Sequence, residues 1–157
     1  MSRTKNVNSL LLIFILIPLT AGAVSALFSG NMSLAYMDIY KPVFAPPGIV
    51  FPVIWTILYI LMGISSYLIY KSNHPQKQDA LKIYFAQLFL NFMWSIIFFG
   101  FSKYLAAFWW LLILILFILY MVYRFYKINK IAAYLQIPYL IWCVFAAILN
   151  FFIHQMN

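Results

Sequence analysis

LAAFWWLLILILFILYMVY, Leu105 to Tyr123, runs for 19 residues without a charge, a glycine or a proline. Wound as a helix rising 1.5 Å per residue, such a run matches a hydrocarbon core about 30 Å thick. Four more apolar runs accompany it: Val7 to Phe28, Val50 to Tyr70, Ala80 to Gly100 and Ala132 to Ile153. Across the 157 residues, 67% are AVILMFWYC, only 8% are charged, and the mean hydropathy is +0.98. A soluble domain needs about a quarter of its residues charged to cover its surface. The solvent for this chain is therefore lipid, where every backbone N–H and C=O must be paired inside the segment, and long apolar runs satisfy that requirement as helices. The sequence predicts an all-α integral membrane protein, a five-transmembrane-helix bundle over residues 1–157. A soluble enzyme, a disordered chain and a disulfide scaffold are excluded, the last because Cys143 is the single cysteine.

The net charge of +8 does not mark a nucleic-acid interface. The basic residues stand singly at the ends of apolar runs, as membrane-end anchors do, and form no patch. They also set an orientation. Arg3, Lys5, Lys71, Lys77, Lys82, Arg124, Lys127 and Lys130 fall on one side of five spans, against Lys41 and Lys103 on the other. The positive-inside rule makes the richer side cytoplasmic. The expected protein is multi-pass in the cell membrane, with its N-terminus cytoplasmic and its C-terminus outside. The first run also imitates a secretory signal, with a basic start, the core Leu10 to Ile17 and the small residues Ala21-Gly22-Ala23. Against cleavage, the run stays apolar past that site, and Gly22 and Ala26 at i, i+4 let another helix approach closely.

Between the first two runs, residues 29–49 carry Asp38, Lys41, Pro42, Pro46, Pro47 and Gly48, which prevent a continuous helix. A connector of this length tends to be a lid. Pro52 falls in the first turn of its helix, whereas Pro18 and Pro138 lie inside apolar runs and are expected to kink them.

No titratable group lies at membrane depth: Asp38, Asp79 and His74 fall in predicted loops and His154 at the end of the last span. This disfavours an ion-coupled transporter, a metal or haem site, and hydrolytic chemistry, so no cofactor and no metal are expected. What the membrane does hold is amides and aromatic rings. Gln87, Asn91, Trp94 and Ser95 share one face of the third span, and amides facing lipid would go unpaired, so the stripe should point inward. It reads either as interhelical hydrogen-bond glue or as a cavity wall. The second span places Trp55, Tyr59 and Met62 on one face, and the fifth places Trp142, Ala146 and Leu149 on one face. Trp109 and Trp110 sit near a membrane boundary, as an interfacial belt would.

Lys41 to Lys71, KPVFAPPGIVFPVIWTILYILMGISSYLIYK, resembles the signature of the translocator protein family, also called tryptophan-rich sensory proteins or peripheral benzodiazepine receptors. Ala86 to Gly100, AQLFLNFMWSIIFFG, and Ile137 to Phe151, IPYLIWCVFAAILNF, match in the right order. The resemblance implies a five-helix bundle, commonly a homodimer, whose cavity opens toward the first long loop and binds porphyrins and synthetic planar ligands. Carried over by residue, it implies ligand contacts from Trp55, Trp94, Trp142, Asn91 and Ala146, with Tyr36 and Pro46 closing over the ligand. Tyr59 and Leu149 join them as neighbours on the same faces, and Lys41 would supply a cation near the mouth.

Three departures stand out. Phe44 and Ile49 occupy loop positions where the family often has tryptophan, the usual Trp-Tyr pair before the lid reads Ala35-Tyr36, and no basic residue follows Leu149-Asn150-Phe151-Phe152 to complete a cholesterol motif. Three functions use the same cavity: a receptor or sensor for porphyrins and similar planar apolar ligands, a facilitative tetrapyrrole carrier, and a light-dependent porphyrin-degrading protein. The last would give Trp55 and Trp142 a photochemical role.

Overall fold

The computed structural model describes the backbone of residues 2–157, with side chains described from Ser9 onward. Among the described residues every regular element is helical. The elements are α1 (Ser2–Phe28), α2 (Met32–Asp38), α3 (Val50–Lys71), α4 (Lys77–Ser95), a π-helical turn (Ile96–Gly100), α5 (Tyr104–Ile128), α6 (Lys130–Tyr134) and α7 (Ile137–Met156). Five segments are long and apolar enough to cross a membrane: α1, α3, α4 with its π-turn, α5, and α6 with α7.

Helix ends follow local chemistry. Gly30, at φ +74°, ends the turn after α1, in the left-handed region that an L side chain enters only at a cost. Asn31 then caps α2, its side-chain oxygen accepting from the Leu34 N–H at 3.1 Å. The segment 29–49 is thus not irregular throughout: a seven-residue helix sits inside it. Pro138 breaks the last run rather than bending it. It occupies the first turn of α7, where its missing N–H costs little, and α6 stops at Tyr134. Pro18 lies within a continuous α1.

The centre of the bundle is a stripe on α5, Ala107, Leu111, Leu114, Ile118, Met121 and Phe125, almost wholly buried at helical spacing. Lipid tails are as apolar as leucine, so packing and hydrogen bonds, not exclusion from water, hold these helices together. Glycine shows this where α1 meets α3. A Cβ on Gly63 would lie 2.5 Å from the Ile15 Cα and 2.7 Å from the Phe14 carbonyl oxygen, and one on Gly22 would enter the Tyr59 ring. Toward the lid end, Ser25 donates to the Phe92 carbonyl at 2.6 Å, and its hydroxyl lies 2.5 Å from that of Ser95, tying α1 to α4 where α4 widens into the π-turn. At the opposite end, cations sit over tyrosine rings: Lys77 over Tyr70, Arg124 over Tyr120, Lys127 over Tyr123 and Lys130 over Tyr126. The side chains of Arg3 and Lys5, which count toward the orientation, lie outside the described ones.

Candidate functional site

The face of α3 that carries Trp55 and Tyr59 turns toward α4. The two rings stack at 5.4 Å and 28°, and the Tyr59 hydroxyl donates to Asn91 Oδ1 at 2.8 Å. One turn further along α4, Trp94 lies 6.4 Å from Trp55 and donates its indole N–H to Asn150 Oδ1 at 3.4 Å, reaching across to α7. Above this floor is a cavity of about 840 Å³, bounded by α1, α2, α3 and α4. Trp55, Tyr59, Asn91 and Trp94 all line it. Gln87, one turn beyond Asn91, is not in the wall. It is fully buried and accepts from the Tyr139 hydroxyl at 2.8 Å, a bond between α4 and α7.

The roof is made by α2 and the segment after it. Tyr36 lines the cavity, packs edge-on against Phe51 at 5.0 Å and donates its hydroxyl to the Pro46 carbonyl at 2.7 Å. Burial raises the Tyr36 phenol above its ordinary pKa, so it remains a donor. Lys41 turns back over the Tyr36 ring at 4.8 Å and donates to the carbonyls of Tyr36 at 2.5 Å, Ile39 at 2.8 Å and Met37 at 3.3 Å. It caps the C-terminal carbonyls of α2 and does not stand free at the mouth as the sequence reading expected.

The remaining expected site residues lie elsewhere. Ala146 and Leu149 border a crevice of about 10 Å³ beside the cavity, which also touches Tyr36, Phe51 and Trp94. Trp142 is outside both and packs on Phe51 at 5.8 Å and on Phe145 at 5.3 Å, its indole N–H without a protein partner. Phe51 lines the cavity and is a ring against which Trp142 packs. Pro46 contributes its carbonyl to Tyr36 and is not itself in the cavity wall. Phe44, which replaces the family's loop tryptophan, packs edge-on against Phe152 at 5.4 Å and so fastens the loop to α7. Trp109 is exposed, as a belt residue would be, but Trp110 donates to the Leu90 carbonyl at 2.8 Å and locks α5 to α4.

The wall contributed by α1 was missed by the sequence reading. Gly22, Ser25 and Ala26 line the cavity, and their signal was present as small residues at one-turn spacing. It was read only as a helix contact, and at Gly22 it is both, because the Tyr59 ring fills the space a Cβ would take.

Fold and site together define a multi-pass helical membrane protein that encloses an aromatic cavity near one end, roofed by the segment between its first two spans. The sequence model of the TspO/MBR family matches residues 14–156. The chain belongs to the TspO/MBR family. It is 34% identical to the tryptophan-rich protein TspO of Archaeoglobus fulgidus over 144 residues, 91% of this chain and 94% of that one. It is 34% identical to the tryptophan-rich sensory protein of Cereibacter sphaeroides over 122 residues, 78% and 76% of the two chains. The translocator protein of Ovis aries is 36% identical over 125 residues, 78% and 74%.

Proposed function

We propose that this protein is a membrane receptor or sensor that takes porphyrins and similar planar apolar ligands into the cavity beneath α2. The observation that carries this reading is the cavity itself: about 840 Å³, with the Trp55–Tyr59 stack and Trp94 in its wall. A flat macrocycle gains from such rings, since an aromatic contact adds about 0.5 to 1.5 kcal/mol beyond the area it buries. A cavity of this size is also within the range that encloses small-molecule ligands.

A receptor is favoured over a carrier by what lies under the floor. Below the Tyr59–Asn91 bond, Met62, Leu114, Ile118 and Tyr139 are fully buried, so the wide space ends there. In this reading the protein lies in the cell membrane with α2 outside and the N-terminus cytoplasmic, works as a homodimer and uses no cofactor. The test is porphyrin binding to the purified protein in darkness and under light, with product analysis. Saturable binding without product supports the receptor; light-dependent product would make it a photochemical protein, and no saturable binding would end the proposal.

A further inference from the structure

The cavity holds no cation. Among the described residues none that lines it is charged. At its rim the one basic residue on the roof, Lys41, gives its ammonium to three carbonyls of α2 and to the Tyr36 ring. Lys103, which precedes α5, and His154, in the last turn of α7, are the other basic residues at this end, and neither is in the wall. Asp38, exposed, follows the lining residue Met37 and adds negative charge instead.

The hydrogen-bonding inventory of the wall points the same way. The Tyr59 proton goes to Asn91, the Thr56 proton to the Pro52 carbonyl, the Tyr36 proton to the Pro46 carbonyl and the Ser25 proton to the Phe92 carbonyl. Ser29 donates to the Ser25 carbonyl at 2.8 Å, so the Ser95 hydroxyl, 2.5 Å from that of Ser25 and 2.9 Å from that of Ser29, donates within the trio. Each of these hydroxyls keeps lone pairs to offer and no proton. The donors left over in the wall are Asn91 Nδ2, buried at the floor, the Trp55 indole N–H and the exposed Ser33 hydroxyl, each on a different helix.

We infer that this cavity selects neutral ligands: planar molecules whose own N–H or O–H groups can meet the hydroxyl oxygens of the wall, and whose carboxylates, where they have them, are a handicap. Taking a carboxylate out of water without a cation, against single donors on three separate helices, costs far more than one neutral hydrogen bond returns. The inference rests on the proposed function and narrows its ligand class from planar apolar molecules in general to uncharged ones.

The experiment uses a porphyrin dicarboxylic acid and its dimethyl ester, measured against the full chain in nanodiscs of zwitterionic lipid. The ester is expected to bind at least about tenfold more tightly than the acid. Ile49 lines the cavity and is 71% exposed, so Ile49→Arg places a cation at the rim without disturbing packing. That change should shift the acid-to-ester affinity ratio by about tenfold toward the acid, whatever it does to both probes alike, because a charge-assisted bond rewards only the acid. Ser33→Arg, also at the exposed rim, repeats the test from α2. Partitioning of each probe into empty nanodiscs is measured and subtracted, and what is left of it cancels in the variant-to-wild-type comparison. Equal affinities in the wild type, or an unchanged acid-to-ester ratio in both variants, would overturn the inference while leaving the binding function intact. Failure of both probes to bind would overturn the function and the inference together.

Discussion

Tyr59 Oη donates to Asn91 Oδ1 at 2.8 Å, one hydrogen bond that joins α3 to α4 and forms the floor of the cavity. Asn91 is 4% exposed, so its amide cannot turn to water if the tyrosine proton is lost. Tyr59→Phe should therefore destabilise the protein by about 1 to 3 kcal/mol, the cost of an acceptor left buried and unpaired. Asn91→Leu alone strands the phenol in the same way. The double variant removes both partners and should recover part of the loss. Thermal melting of the two single variants and the double variant gives the coupling directly, and strictly additive losses would show that the bond contributes nothing of its own.

At the α1–α3 crossing, prediction turns on which atom a new methyl group would meet. Gly63→Ala brings its Cβ against the backbone of Ile15 and Phe14, which cannot step aside. A loss of about 1 to 3 kcal/mol is expected, on the scale of overpacking. Gly22→Ala meets only the Tyr59 ring, a side chain that can tilt, but that ring is cavity wall. The two variants should thus part ways: Gly63→Ala lowers the melting temperature most, and Gly22→Ala lowers ligand affinity most.

Lys41 should behave as a clamp on the roof. Lys41→Met keeps an apolar stem of similar length and removes the donors to the Tyr36, Met37 and Ile39 carbonyls. Hydrogen exchange across Met32 to Lys41 should then speed up by at least about tenfold, the equivalent of losing one bond to a charged group at about 1.5 kcal/mol. Unchanged exchange in α2 would mean that Tyr36 and Pro46 hold the roof without it.

The five-helix architecture was legible because lipid leaves few alternatives: 19 uncharged residues in Leu105 to Tyr123 have one way to pair their backbone. The inward faces were legible too, since Gln87 and Asn91 had to avoid lipid, and both are buried. Side-chain reach across the bundle was not. Trp55 and Trp142 have equal claims in the sequence, yet Trp55 lines the cavity while Trp142 packs on Phe51 outside it, a fact set by helix rotation and not by spacing. Lys41 reads as a free cation because nothing in the sequence reveals that α2 exists to be capped. The break before α7 was half visible, in Pro138, which marks a disturbance without saying whether a helix bends or stops.

The orientation can be tested apart from any ligand. In a Cys143→Ser background, which removes the single cysteine, a cysteine at the exposed Ser33 should react with a membrane-impermeant maleimide added outside intact cells. One at the exposed Gln76, beside the cationic end of α4, should stay protected until the membrane is opened. Labelling of Gln76→Cys alone would invert the topology.

The two tryptophans provide the sharpest test of where a ligand sits. Trp55 is in the cavity wall, stacked on Tyr59, while Trp142 is outside it and packs on Phe51 with its ring 5.8 Å from that residue's. Trp→Phe keeps a ring and much of the volume at either position, so the protein should stay folded. Trp55→Phe should weaken porphyrin binding by about threefold to tenfold, on the aromatic scale of about 0.5 to 1.5 kcal/mol. Trp142→Phe loses no protein hydrogen bond, because its indole N–H has no protein partner, and should leave affinity within about twofold. Light adds a second readout: indole is readily oxidised and phenyl is not, so any light-dependent porphyrin loss should fall in Trp55→Phe beyond what weaker binding explains and persist in Trp142→Phe. Phe51→Ala then removes from the wall the ring on which Trp142 packs. In that background Trp142→Phe should acquire an effect on affinity that it lacks in the wild type. If Trp142→Phe weakens binding as much as Trp55→Phe with Phe51 in place, the Phe51 ring must swing aside when ligand enters, and α7 belongs to the site.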